Sequence, residues 1–323
     1  MLAAVVRNYD VGVRLEEIPD PVPTGDAVVV EVLGAGICHT DLHLLHWRNR
    51  PLPLVMGHEV AGYAEGLGPV LVHQSWGCGR CRICLRGEEQ LCPDVTEAGF
   101  ERPGGYAAKI LVPHPRYLLP LGGLDPVRAA PLTDAAATSY RAVRRASPWL
   151  RTDHDRVVVI GAGALGKFAI QFLRLLTPAR VIAVDVSAAK RAEALTLGAH
   201  EARTGDELAG RRAEVVLDLV VEHDTLALAA GLVPPGGMIM RIGSGNGSLP
   251  FGRGVLPPEV TLTSARGGSI SDVSAVVDLA RAGKIRWDVE PIPLSEVAAG
   301  LRRLERGEVT GRLVLTPTGA GDD

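Results

Sequence analysis

The chain of 323 residues has little cysteine, five in all, and no apolar run long enough to span a bilayer. Lysine is confined to Lys109, Lys167, Lys190 and Lys284, a bias we assign to genome composition or stability and not to function. Net charge is only -3. That leaves no basic field to hold a nucleic acid and no polybasic patch for a membrane surface. The opening "MLAAVVRNYDVGVRLEEIPDP" lacks a charged head, a long apolar core and a small-residue cleavage site, and reads as a short strand running into a charged turn. The expected compartment is the cytosol, where thiols stay reduced and disulfides are rare.

What is present suits a large core: 46% of the residues are hydrophobic, and the length points to two domains. The first 125 residues or so carry short β signals such as "AVVVEVLGAGI" and "YAAKILVP", broken by Pro- and Gly-rich turns. The pattern then changes. "DRVVVIGAGALGKFAIQFLRLL" reads as strand, glycine turn and helix, and "ARVIAVDVS" followed by "AAKRAEALTLGA" repeats the unit. "AEVVLDLVV", "TLALAAGLVPPGG" and "GMIMRIG" continue the alternation expected of a parallel α/β sheet. After "VTLTSA" the stretch "ISDVSAVVDLARAGKI" predicts a helix closed by glycine, and the tail predicts a helix and a last strand. The expected division is residues 1–130, 131–275 and a C-terminal return to the first domain over 276–323.

Four of the five cysteines stand close together, as Cys78, Cys81, Cys84 and Cys92 in "WGCGRCRICLRGEEQLC". Two C-x2-C steps and a fourth thiol fit a closed tetrahedral zinc site, with Gly77, Gly79 and Gly87 supplying the bends. Two disulfides, or a redox pair, are the competing readings, and the cytosolic expectation weighs against the first. A closed site has no open position, so this loop is expected to be scaffold. The fifth cysteine, Cys38, opens "CHTDLH", and His58 with Glu59 follows in "GHE". A lone buried cysteine is more often a small hydrophobe than a ligand.

Gly161-x-Gly163-x-x-Gly166 follows the strand "RVVVI" and opens a helix, the context in which this pattern binds a dinucleotide. Gly161 makes the turn, Gly163 admits the pyrophosphate, and Gly166 allows close helix–strand packing. Asp185 ends the second strand, where an acid accepts from a ribose 2′-hydroxyl and repels a 2′-phosphate. NAD is therefore favoured, although Arg191 nearby keeps NADP open.

"GICHTDLH", "GHEVAG", the four-cysteine loop and "GAGALG" occur together in this order over nearly the whole chain. In this the sequence resembles the zinc-dependent alcohol dehydrogenases of the medium-chain dehydrogenase/reductase superfamily. The resemblance implies a GroES-like β-rich catalytic domain and a Rossmann-type doubly wound parallel sheet. It implies a catalytic zinc held by Cys38, His58 and Asp134 of "APLTDAAATSYRAV", besides a structural zinc on the four cysteines. Asp134 read locally is an ordinary helix N-cap. Glu59 matches a spare or transient metal ligand of some relatives. By the same resemblance His39 contacts the cofactor pyrophosphate, Lys190 the adenosine ribose, and Arg312 of "GRLVL" the pyrophosphate.

Zinc with an open position lowers the pKa of an alcohol oxygen, and the proton must then leave. Thr40 suits the first step of that transfer and His43 the last, with the nicotinamide ribose between. Asp41 resembles the acid that orients the zinc-bound histidine. Trp47, after His46, either lines an apolar pocket or packs beneath the loop.

Two departures stand out. Between "GHEVAGYAEG" and "VLVHQSWGCG" the chain is shorter than in relatives, and Gly68 and Pro69 are expected to make the turn alone. "SARGGSISD" lacks the "GT-R" element of bacterial relatives, so its contacts to cofactor or partner subunit are not carried over. The sequence is identified as an NAD-dependent alcohol dehydrogenase acting on a small-molecule alcohol or carbonyl as a homodimer or homotetramer. A polyol, sugar or amino-alcohol dehydrogenase is the alternative within the family. A non-catalytic nucleotide- and zinc-binding protein is the alternative outside it.

Overall fold

The computed structural model describes residues 1–250, 252 and 254–317. These form two compact units, residues 1–137 with 268–317, and residues 138–267. Among the described residues no helix is long and apolar enough to cross a membrane.

The first unit is built on a seven-stranded sheet. Its main path runs Leu118–Pro120, Gly68–Val72, Glu59–Ala64, Val28–Gly36, Arg312–Thr316 and Val289–Pro293, with Lys109–Val112 also paired to Val28–Gly36. The opening segment is a hairpin and not a single strand and turn, because Leu2–Val6 pairs antiparallel with Val13–Glu17. Buried valines, alanines, leucines and isoleucines of these strands make one core, joined by Tyr106, Tyr117 and Trp76.

Gly36 pairs with Glu59 on one side, while Val314 pairs with Gly36 on the other. Ile37 N–H donates to the Leu313 carbonyl at 2.9 Å, so the same register brings Arg312 alongside Cys38. Residues far apart in the chain thus meet at one end of the sheet. The shortened segment corrects our expectation: the turn is Glu65–Gly66–Leu67, and Gly68 and Pro69 already belong to the following strand, paired with Ala64 and Tyr63. Gly66 and Gly68 both have φ near +76°, a conformation open mainly to glycine, which lets so short a connection close.

The second unit holds a six-stranded parallel sheet in the order Glu201–Arg203, Arg180–Val184, Arg156–Ile160, Val215–Asp218, Met238–Arg241, Thr261–Ser264. Numbered along the chain this is 3-2-1-4-5-6, the doubly wound order in which a dinucleotide lies where the order reverses, at the carboxyl end of the first strand. That strand, Arg156–Ile160, feeds the glycine turn. The expected strands and helices of this region are all present; the short strand Glu201–Arg203 is an addition that its composition did not signal.

Candidate active site

His39–Trp47 is a helix, a state the polar sequence "HTDLHLLHW" does not advertise. Cys38 is its N-cap, and Asp41 Oδ2 accepts the Cys38 backbone N–H at 2.8 Å. A side chain three residues into the helix therefore secures the cysteine that precedes it. Thr40, His43 and Trp47 follow at three- and four-residue spacing and share one face. Thr40 Oγ1 lies 3.5 Å from Cys38 Sγ, and the His43 and Trp47 rings are 5.4 Å apart. His39 and Trp47 are exposed, while His43 and Thr40 are half-buried.

Cys38 Sγ, one nitrogen of His58 and one carboxylate oxygen of Asp134 lie within 4.8 Å of one another. Asp134 Oδ2 is 3.7 Å from Cys38 Sγ and 3.6 Å from His58 Nε2. Tetrahedral zinc with ordinary bond lengths sets such pairs about 3.6 and 3.4 Å apart, so the donor set fits that ion with little adjustment. The other ring nitrogen, His58 Nδ1, is buried without a hydrogen bond and faces Asp41 Oδ1 at 3.4 Å. This is the arrangement in which a carboxylate fixes the tautomer of a metal-binding histidine. Burial works to lower the His58 pKa, but Asp41, Asp134 and Cys38 outweigh it and hold the ring well above its usual range. So much negative charge around one buried imidazole is what a divalent cation relieves.

Tyr106 completes the support. Its hydroxyl donates to Asp41 Oδ2 at 2.7 Å, and burial together with Asp41 pushes its pKa up, keeping it a donor. Gly57, at φ +96°, admits that ring, because a Cβ there would sit 2.3 Å from it.

Behind the cluster Glu59 and Arg312 form a fully buried pair. Arg312 Nε donates to Glu59 Oε2 at 2.8 Å, and its terminal nitrogen donates to Oε1. Gly36 makes room, since a Cβ would lie 2.0 Å from Glu59 Oε2. Burial raises the Glu59 pKa and the guanidinium opposes it, while Glu59 and Cys38 hold Arg312 firmly charged. Phe100, which the sequence did not single out, packs its ring 5.3 Å from that of His58, and the Arg50 guanidinium lies 5.4 Å over the same ring.

The four-cysteine loop is equally explicit. Sγ separations are 3.5 Å for Cys81–Cys84, 3.8 Å for Cys81–Cys92 and 3.9 Å for Cys78–Cys84. A disulfide needs about 2.05 Å, whereas tetrahedral zinc–thiolate bonds place sulfurs about 3.8 Å apart. Backbone N–H groups of Arg80 and Cys81 lower the Cys78 pKa to about 6, which favours the thiolate a metal needs. Burial pushes Cys84 up to about 12, and a bound cation would draw off its proton.

In the second unit the glycines have distinct tasks. Gly161 has φ +94°, and a Cβ on Gly166 would strike the Gly161 carbonyl oxygen at 2.0 Å. Gly163 differs: a Cβ there meets no protein atom within 4 Å, so the space beside it is left for something other than the chain. It caps the helix Ala164–Leu176 with no side-chain hydrogen bond, leaving the first N–H groups open to an anion. Asp185 accepts from Ala162 N–H at 2.9 Å and Ser187 N–H at 2.8 Å. Arg191 donates to the carbonyls of Asp185 and Val186, and Lys190 stands exposed beside it.

Residues 24–122 match the alcohol dehydrogenase GroES-like domain, and residues 164–282 match the zinc-binding dehydrogenase domain. An NAD-dependent alcohol dehydrogenase of Sulfurisphaera tokodaii is 34% identical, over 97% of this chain and 99% of its own. A D-arabinose 1-dehydrogenase (NADP(+)) of Saccharolobus solfataricus is 31% identical, over 98% and 97%. Among solved structures, the alcohol dehydrogenase of Aeropyrum pernix superposes with a TM-score of 0.89 at 33% identity, covering 98% of this chain and all of that one. An acetophenone reductase of Geotrichum candidum in complex with NAD also scores 0.89, at 28% identity over 98% and 96%. The chain belongs to the zinc-dependent alcohol dehydrogenases of the medium-chain dehydrogenase/reductase superfamily.

Proposed function

We propose that this chain reversibly oxidises a primary or secondary alcohol to an aldehyde or ketone, with NAD as the hydride acceptor. The convergence of Cys38, His58 and Asp134, backed by Asp41, carries the reading. Those three residues would hold a zinc ion, whose contribution would be Lewis-acid polarisation of the alcohol hydroxyl, and the glycine turn would hold NAD, which would supply the hydride acceptor. The chain's own residues do the rest. Asp41 keeps the His58 Nδ1 proton in place so that Nε2 presents its lone pair. Thr40 relays the substrate's hydroxyl proton, accepting it as its own hydroxyl proton moves on toward His43, one turn along the same face, which releases a proton to solvent. Phe100 and Trp47 are the aromatic surfaces offered to substrate.

Gly161, Gly163 and Gly166 shape the pyrophosphate cradle, and Asp185 takes the adenosine ribose, with Lys190 beside it. Arg191, spent on two carbonyl oxygens, is poorly placed to grip a 2′-phosphate, which supports NAD. His39 and Arg312 are assigned to the pyrophosphate; Arg312 in addition holds Glu59, the reserve carboxylate behind the metal. A sugar or polyol substrate is the second reading, favoured by the similarity to D-arabinose 1-dehydrogenase. Work in the cytosol, as a homodimer or homotetramer, is part of the proposal.

The test is zinc per chain on protein purified without chelator, beside Asp134→Ala. Two ions in the parent, one in the variant, and loss of alcohol-dependent NAD reduction are expected. One ion in both would remove the catalytic site from the reading.

A further inference from the structure

A carboxylate ligand poses a problem that a thiolate does not: it has two equivalent oxygens. Free to rotate, it can offer either one, or both, and the metal loses a defined geometry. In this chain the two oxygens of Asp134 are made unequal. Oδ2 faces Cys38 Sγ and His58 Nε2, whereas Oδ1 accepts a hydrogen bond from Gln74 Nε2 at 3.2 Å.

Gln74 is only 7% exposed and its mount is rigid. Its carbonyl accepts from Ala98 N–H at 3.1 Å, and the flanking His73 N–H donates to the Tyr117 carbonyl at 2.8 Å. On the other side Ser75 Oγ donates to Glu97 Oε1 at 2.7 Å. The side chain's own Oε1 is buried with no hydrogen-bond partner. Leaving such an acceptor unsatisfied costs stability, which an apolar residue of the same size would avoid. Packing alone therefore does not explain a glutamine at this position. Turning the amide over would set Oε1 against a carboxylate oxygen, so charge dictates the orientation seen.

We infer that Gln74 is a positioning residue that holds Asp134 as a one-oxygen ligand of the catalytic zinc. The inference rests on Cys38, His58 and Asp134 being that ion's ligands. It gives the amide no role toward substrate; its effect passes through the carboxylate. The N–H···Oδ1 bond also withdraws charge from the oxygen that does not bind, and so leaves Oδ2 as the one aimed donor.

The experiment is a competition titration of the full-length protein with zinc against a chelator of known affinity. It compares the parent, Gln74→Met and Gln74→Asn, each also made in an Asp134→Cys background. Met keeps the length without the N–H, and Asn keeps the amide without the reach. Both are expected to weaken the second ion by 10–100-fold and to leave the four-cysteine ion unchanged. In the Asp134→Cys background, where no second oxygen needs holding, neither should change zinc affinity by as much as 2-fold. An effect below 2-fold with Asp134 present would overturn the inference. So would equal weakening in both backgrounds, which marks a mere packing role. A parent that holds one ion per chain fails the underlying ligand reading instead, and is told apart because it appears before any substitution at Gln74.

Discussion

Replacing Arg312 by Met offers the sharpest test of how the site is supported. The guanidinium is 5% exposed and its partner Glu59 is wholly buried, so the substitution strands a carboxylate away from water. Breaking a buried pair by removing one partner costs about 3–5 kcal/mol. The lower end, about 3 kcal/mol, is expected because Glu59 Oε1 also accepts from Ala135 N–H at 3.3 Å. Adding Glu59→Gln removes the stranded charge and keeps an acceptor for that N–H. The double variant should therefore regain about 2 kcal/mol over Arg312→Met alone. Urea unfolding of zinc-loaded protein followed by tryptophan fluorescence is the assay. It reports mainly on the first unit, which contains Trp47, Trp76 and Trp287 of the four tryptophans. A loss below about 1 kcal/mol in Arg312→Met, or two losses that simply add, would refute the reasoning.

Two further outcomes follow from the geometry. Gly163→Ala should fold with unchanged stability, because its Cβ meets no protein atom, yet bind NAD at least about 10-fold more weakly by fluorescence quenching. Gly166→Ala, whose Cβ strikes a backbone carbonyl, should lose stability as well, and equal behaviour of the two would contradict the roles assigned. The third outcome concerns acid. His73 is buried between the Ser75 and Gly268 carbonyls, and burial lowers its pKa below 6.5. The unfolded chain therefore binds a proton that the folded one refuses, and stability falls as pH drops through 6.5. His73→Gln should flatten that fall in unfolding measured between pH 7 and pH 5.

The parts legible in the sequence are those written in local spacing. C-x2-C steps and G-x-G-x-x-G between a strand and a helix place donors or backbone atoms within a few residues of each other. Their geometry hardly depends on the rest of the fold. The alternation of strand and helix likewise exposed the parallel sheet, since each βαβ unit is satisfied within a short stretch. Asp134 entered through resemblance alone, because on its own it reads as a helix cap.

What the tertiary structure decided are the partnerships of long separation: Glu59 with Arg312 across 253 positions, Tyr106 with Asp41 across 65, and Gln74 with Asp134 across 60. The first depends on sheet register, which a strand's pattern leaves open, and the other two on how a helix and loops pack against the sheet. Alternation says which face is inward, but not which strand lies alongside. The antiparallel pairing of Arg312–Thr316 with Val28–Gly36 brings the arginine to Glu59 and the edge of the Cys38, His58 and Asp134 cluster. A glutamine, a tyrosine and a phenylalanine gave no local sign of function because theirs lies in what they touch. The sequence determined which chemistry the chain carries; packing decided what holds that chemistry in place.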